Sequence, residues 1–291
     1  MGIRERALLI VNPAAGQRHA QEGDLAECVR LLTAADFNID LRETGADGPT
    51  SADLAKIAVA EGFPVVIVAG GDGTVAPAAA VLLETSVTLG ILPFGSFMNI
   101  ANGLGIPLRP IEAARVIARR KVKRADAGEV AGKVFFETCG VGLDADAFGA
   151  ARLAERRRWG PAFRRVWRWA TASPHRVEIT VDGKAERYRV LQVLIVNSPY
   201  YAWAFPIVPN ADMTDGLLEV AIFPRKGRLD LFRWTLGIWR TGRPGRPPRL
   251  LRGKVIEIAS SEALPVHADG QIAGRLPVTV RCREGALRVF A

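Results

Sequence analysis

The sequence predicts an α/β domain with a doubly wound, Rossmann-like parallel sheet, followed by a second, largely antiparallel β domain. Three observations predict it. Apolar runs of strand length alternate with helical patterns through the first 125 residues. Glycine- and proline-rich loops follow those runs directly, and beyond them the texture changes to short strands punctuated by hairpin turns. A chain of 291 residues with 49% hydrophobic content is also long enough for two cores. The boundaries expected are 1–125 for the α/β domain and 126–291 for the β domain.

Residues 7–11 read as a buried strand, 24–32 as a helix, 39–41 as part of a strand, 51–60 as a helix and 65–68 as a strand. Strands separated by helices imply a parallel sheet with right-handed crossovers, in which ligands sit beyond the carboxyl ends of the strands. The loops at those ends are Asn12-Pro13-Ala14-Ala15-Gly16, Gly70-Gly71-Asp72-Gly73-Thr74 and Pro93-Phe94-Gly95-Ser96-Phe97-Met98-Asn99. Later, residues 130–134 and 181–184 read as hairpin turns, and 190–196, 217–223, 255–258 and 278–280 as strands. Helical insertions are expected over about 147–170 and 229–239, and residues 241–249 form a basic Pro/Gly-rich loop. There is no internal repeat.

The loop at 70–74 carries the first chemical signal. Glycines after a strand let the backbone approach a polyphosphate, and the helix that follows turns its N–H groups toward the anion. A carboxylate there, Asp72, needs a metal ion, a ribose hydroxyl or a backbone amide to answer its charge. The plainer reading is a tight turn with Asp72 or Thr74 capping the helix.

A net charge of +9 favours nucleic acid, anionic lipid headgroups or phosphorylated substrates, and the arginines concentrate beyond the first third of the chain. No zinc spacing, RNA-binding aromatic motif or basic helix-turn-helix supports nucleic acid. The three cysteines, Cys28, Cys139 and Cys282, have neither disulfide nor metal spacing. With no signal-peptide core and no apolar run of bilayer length, a cytoplasmic location is expected.

Asn12-Pro13 with Gly16, the 70–74 loop, and Leu92-Pro93-Phe94-Gly95-Ser96 leading to Leu104-Gly105-Ile106-Pro107 resemble, in order and spacing, the catalytic domain of diacylglycerol and sphingosine kinases. Pro209-Asn210-Ala211, Asp215-Gly216-Leu217 and Asp269-Gly270-Gln271 extend the resemblance over nearly the whole chain. It implies a nucleotide-binding α/β domain, a β-sandwich domain, an active-site cleft between them, and transfer of the ATP γ-phosphate to a lipid hydroxyl with magnesium. Position by position it implies nucleotide contacts from Asn12, Gly16, Gly70, Gly71, Asp72, Gly73, Thr74, Gly95 and Ser96, with Asn99 joining them if its loop shifts. It implies Asp215 in a metal site stabilising the β domain and Asp269 as general base. Phosphoryl transfer needs positioning, charge neutralisation and a destination for the alcohol proton, tasks that suit these residue types.

Three departures bear on catalysis. The family follows the 70–74 loop with a hydrophobic residue and Asn-Glu, whereas Val75 here precedes Ala76 and Pro77, the latter expected within a first helical turn. Met98 stands at a family asparagine. Gln271 replaces the glutamate of Asp-Gly-Glu, losing a charge that binds magnesium or raises the basicity of Asp269. The readings that follow are a lipid kinase, a weakened nucleotide- or lipid-binding member, and an NAD-kinase-like enzyme, which shares the 70–74 loop without the 93–96 and 104–107 segments.

Access to lipid is expected at the inner membrane face. Trp159, Phe163, Val166 and Ala170 line one side of a helix and Arg157, Arg164, Arg165 and Arg168 lie elsewhere, a pattern repeated by Leu229, Phe232, Leu236 and Trp239. Either these faces meet anionic headgroups, or they pack on the β domain with solvated arginines opposite. Residue types alone distinguish neither the lipid nor the oligomeric state.

Overall fold

The computed structural model describes residues 4–14, 18–142, 174–201, 205–206, 208–224 and 248–291. Gly16, the helices expected over 147–170 and 229–239, and most of the 241–249 loop lie outside these residues. The chain divides into two compact units, Met1–Ala127 with Met213–Asp215 and Glu284–Ala291, and Gly128–Asp212 with Gly216–Arg283.

In chain order the elements are β1 (Glu5–Val11), α1 (Arg18–Ala34), β2 (Phe37–Glu43), α2 (Ser51–Ala60), β3 (Val65–Gly70), α3 (Asp72–Leu82), β4 (Thr88–Pro93), α4 (Asn99–Gly103), α5 (Pro110–Ala118) and β5 (Val122–Val130). Then come β6 (Lys133–Phe135), β7 (Thr138–Gly142), β8 (His175–Val181), β9 (Lys184–Val196), β10 (Tyr200–Tyr201), β11 (Phe205–Pro206) and β12 (Leu218–Pro224). The chain continues through β13 (Arg249–Gly253), β14 (Val255–Ala259), β15 (Pro265–Ala268), β16 (Gln271–Arg275) and β17 (Val278–Phe290).

The first unit is a parallel sheet in the order β2-β1-β3-β4, with the end of β17 added beside β4. Every residue of β3 and β4 is buried, as continuous apolar runs require when helices cover both faces of a sheet. Helix α2 begins where expected because Thr50 and Asp53 form a reciprocal capping box. Arg120, from the exposed basic run 119–124, stacks at 4.2 Å on Phe37, pairs with Glu5 and donates to the Ala35 and Asp36 carbonyls, so part of that run is structural.

The second unit is antiparallel. Strand β9 spans 13 residues, pairing with β8 along its first half and with β7 and β12 along its second. Alternate residues such as Val177, Ile179, Val193, Ile195, Val220, Ile222, Ile256 and Ile258 meet in one core. The two expected hairpins are present, at Ala131-Gly132 and Asp182-Gly183, and Asp269-Gly270 makes a third; all have two successive positive φ angles, the signature of a type I′ turn.

Candidate functional site

The sheet order reverses between β1 and β3, because the chain leaves β1 for β2 on one side and later reaches β3 on the other. At such a switch point the loops diverge and leave a crevice at the strand ends. Asn12, just past β1, bridges it: its Nδ2 donates to Thr74 Oγ1 at 2.9 Å, while its Oδ1 accepts the Ala14 amide at 3.0 Å. Thr74 is buried and occupied by this contact, so it does not cap α3.

Glycine is needed in these loops for space. A Cβ on Gly70 would lie 2.8 Å from Thr74 side-chain atoms, and one on Gly95 would lie 2.4 Å from the Gly71 Cα. The two loops therefore meet backbone to backbone. Gly71 itself is extended (φ −93°, ψ −179°), so its glycine reflects the approach of Gly95 and not an unusual backbone angle. Gly73 faces open space and Ser96 is exposed. The first amides of α3, at Asp72 and Gly73, precede any helical acceptor, the arrangement that suits a helix N-terminus to an anion.

Of the three partners open to Asp72, the structure supplies backbone amides. Its Oδ2 accepts from Asn99 at 2.9 Å and its Oδ1 from Ile100 at 3.1 Å. Asp72 thus caps α4 instead of α3, whose N-cap Gly71 has no side chain. Burial pushes its pKa up, and the amides of Asn99, Ile100 and Met98 partly offset this. Met98 is buried in the left-handed region (φ 51°), and Asn99 behind it is 5% exposed. Pro77 falls at the sixth position of α3, beyond the first turn expected for it. It therefore removes the amide that would reach back to Gly73.

In the second unit, Asp269 occupies the β15–β16 turn. Its Oδ2 accepts from Phe136 at 2.8 Å, and its Oδ1 from Glu137 at 3.0 Å and Thr138 at 2.9 Å. Its own amide returns to the Thr138 carbonyl at 2.9 Å. Asp182, in the other Asp-Gly hairpin, likewise accepts from Lys254 and Val255. Asp269 is half-buried, whereas Asp182 is exposed.

Asp215 groups with the first unit. Among the described residues no three His, Cys, Asp or Glu side chains gather as a metal site. Among the described residues the donor set forms no magnesium cage, and a cation held largely by phosphate oxygens and water needs none.

The structure thus brings Asn12, Gly70, Gly71, Asp72, Thr74, Gly95 and Asn99 together in the first unit. Sequence reasoning missed the 136–138 segment and Asp126. Asp126 is fully buried, with its amide on the Met213 carbonyl and its Oδ1 accepting from Gly285, both at 2.6 Å. The signal for both is one acidic residue inside a small or apolar run, Ala125-Asp126-Ala127 and Phe135-Phe136-Glu137-Thr138-Cys139.

Residues 6–130 match the family described as the diacylglycerol kinase catalytic domain, and residues 139–291 match the YegS C-terminal NAD kinase beta sandwich-like domain. The diacylglycerol kinase of Bacillus subtilis (strain 168) is 25% identical over 284 residues, covering 94% of this chain and 92% of its own. That of Mycobacterium tuberculosis (strain H37Rv) is 28% identical over 295 residues, covering 97% and 93%. The crystal structure of a diacylglycerol kinase from Bacillus anthracis str. Sterne aligns with a TM-score of 0.77 at 27% identity, over 98% of this chain and 96% of that one. An α/β unit matching the catalytic domain and a β-sandwich matching its C-terminal partner leave one conclusion: the chain belongs to the diacylglycerol kinase-like family of lipid kinases.

Proposed function

We propose that the chain transfers the γ-phosphoryl group of ATP to the hydroxyl of a membrane lipid such as diacylglycerol or a sphingoid base. The observation that carries this reading is the β1/β3 switch point, where Asn12 bonds to Thr74 and the Gly71 and Gly95 backbones meet. Bare backbone beside the first amides of α3 admits a polyphosphate where a side chain would exclude it. Asn12, Gly70, Gly71, Asp72, Gly73, Thr74, Gly95, Ser96 and Asn99 are the donor-side residues, with Asp72 acting by holding the 98–100 amides. Magnesium enters as the nucleotide's counterion, and Asp215 belongs to a separate metal site of structural role, on a segment that clusters with the first unit. Asp269 marks the acceptor side. No helix among the described residues is long and apolar enough to cross a membrane, and the net charge of +9 suits an approach to anionic headgroups from one face.

The test is transfer of label from γ-labelled ATP to a total lipid extract presented in anionic and in neutral vesicles. A labelled lipid, formed faster on the anionic vesicles and slowed by salt, is expected. No labelled lipid on either surface, or labelled NADP from added NAD, overturns the reading.

A further inference from the structure

The outward face of β8 and β9 carries two cations that no neighbouring acid answers. Along β8, Val177 and Ile179 are buried while Arg176 is exposed, and Arg189 on β9 is exposed as well. Arg176 and Arg189 are direct partners in the antiparallel register, so both side chains leave the same face of the sheet. Directly opposed residues have Cβ atoms about 4.5–5.5 Å apart, and like charges at such positions are destabilising.

The carboxylates beside this pair are engaged by other groups. Glu178, two residues along β8, accepts from Arg187 Nε at 2.8 Å, and Glu262 Oε2 lies 2.8 Å from His175 Nδ1. Neither the Arg176 nor the Arg189 guanidinium has a hydrogen bond or ion pair among the described residues. The backbone beneath them is fixed. Strand pairing runs unbroken from His175–Val190 to Val181–Lys184, and Ser260 Oγ donates to the Arg176 carbonyl at 2.8 Å. Two planar guanidinium groups side by side on such a ladder match the oxygens of one phosphate, whose charge would offset their repulsion.

We propose that Arg176 and Arg189 bind the phosphate of an anionic lipid headgroup. The pair is solvent-exposed, and a single exposed ion pair in water gains little. A membrane presents many phosphates at once, and each basic residue near its surface adds attraction. The pair shares no residue with the loops at 70–74 and 93–99, and the choice of a lipid as the phosphate's bearer rests on the lipid kinase reading above.

The test is cosedimentation of the full chain, without nucleotide, with phosphatidylcholine vesicles and with phosphatidylcholine vesicles containing phosphatidic acid. Wild type is expected to bind the second kind more tightly, and equal binding to both overturns the inference. Arg176→Gln and Arg189→Gln should each lower that association constant about fivefold, and Arg189→Lys, which keeps the charge but not the fork, should recover only part of it. Lys123→Gln removes the same charge from an exposed position in the first unit and should change binding less. Thermal midpoints of the arginine variants should equal or exceed that of wild type, because a like-charge contact is removed. Equal losses from Lys123→Gln and Arg189→Gln reduce the pair to net charge and overturn the inference, as does lost binding with a lowered midpoint. Calorimetry in which inorganic phosphate binds wild type but not Arg189→Gln, with vesicle binding equal in the two, makes the ligand a soluble ion and overturns the lipid assignment. Because no nucleotide is present, a chain that binds vesicles through the pair but labels no lipid keeps this inference and loses the phosphotransfer reading. Arginine variants that match wild type in vesicle binding, in a chain that labels lipid, do the reverse.

Discussion

Asp72 sits where two forces oppose each other. Burial favours its neutral form, and the amides at the start of α4 favour the carboxylate, with burial the larger. A carboxyl whose folded pKa exceeds its unfolded value binds its proton more tightly in the native state. Its contribution to stability is therefore largest below about pH 3.9 and declines as pH rises through the folded pKa. Asp72→Ala is expected to cost about 0.5–2 kcal/mol near pH 7, as a lost helix cap. The gap from wild type should widen as pH falls toward 4 in urea melts, and a gap that narrows would contradict the sign. The same variant should weaken ATP binding in calorimetry, through release of the 98–100 segment.

Elements differ in how openly the sequence announces them. Helix α2 is legible because its cap, Thr50 with Asp53, is local, and the Asp-Gly turns are legible because few other residues adopt two positive φ angles. Their side-chain roles are not legible. Asp72 finds its partners 27 and 28 residues away and Asp269 finds its own more than 130 away, all of them backbone amides that leave no residue signature. Identical dipeptides thus hold different backbone segments, and a paired substitution tests whether they serve different ends. Asp182→Ala should destabilise the second unit by about 0.5–1.5 kcal/mol through lost hydrogen bonds to the Lys254 and Val255 amides while leaving lipid phosphorylation per folded molecule unchanged. Asp269→Ala should lose both stability and rate. Equal activity in the two variants, measured against folded fraction by circular dichroism, would remove Asp269 from the mechanism. Asp269→Asn is a poorer probe than its size suggests, because one oxygen becomes an N–H₂ group among the three amides that Asp269 now accepts.

For the molecule as a whole, the feature least visible in the sequence is the return of β17. Arg288 and Val289 pair with Thr88 and Leu89, completing the parallel sheet from 200 residues further along the chain. Removal of residues 284–291 should therefore bare the edge of β4, which is buried along its whole length. The shortened chain is expected to aggregate and to lose ATP binding, although every donor-side residue is retained. A monomeric, nucleotide-binding truncation would show the strand to be dispensable. The same pairing sets a clock on biosynthesis. At ~5–20 residues per second, β4 leaves the ribosome roughly 10–40 s before its partner exists, so the nucleotide-binding half spends that interval with an unpaired apolar edge. Holdase chaperones and slow codons upstream of β17 would act in that window, on a half of the protein whose own coding region was read long before.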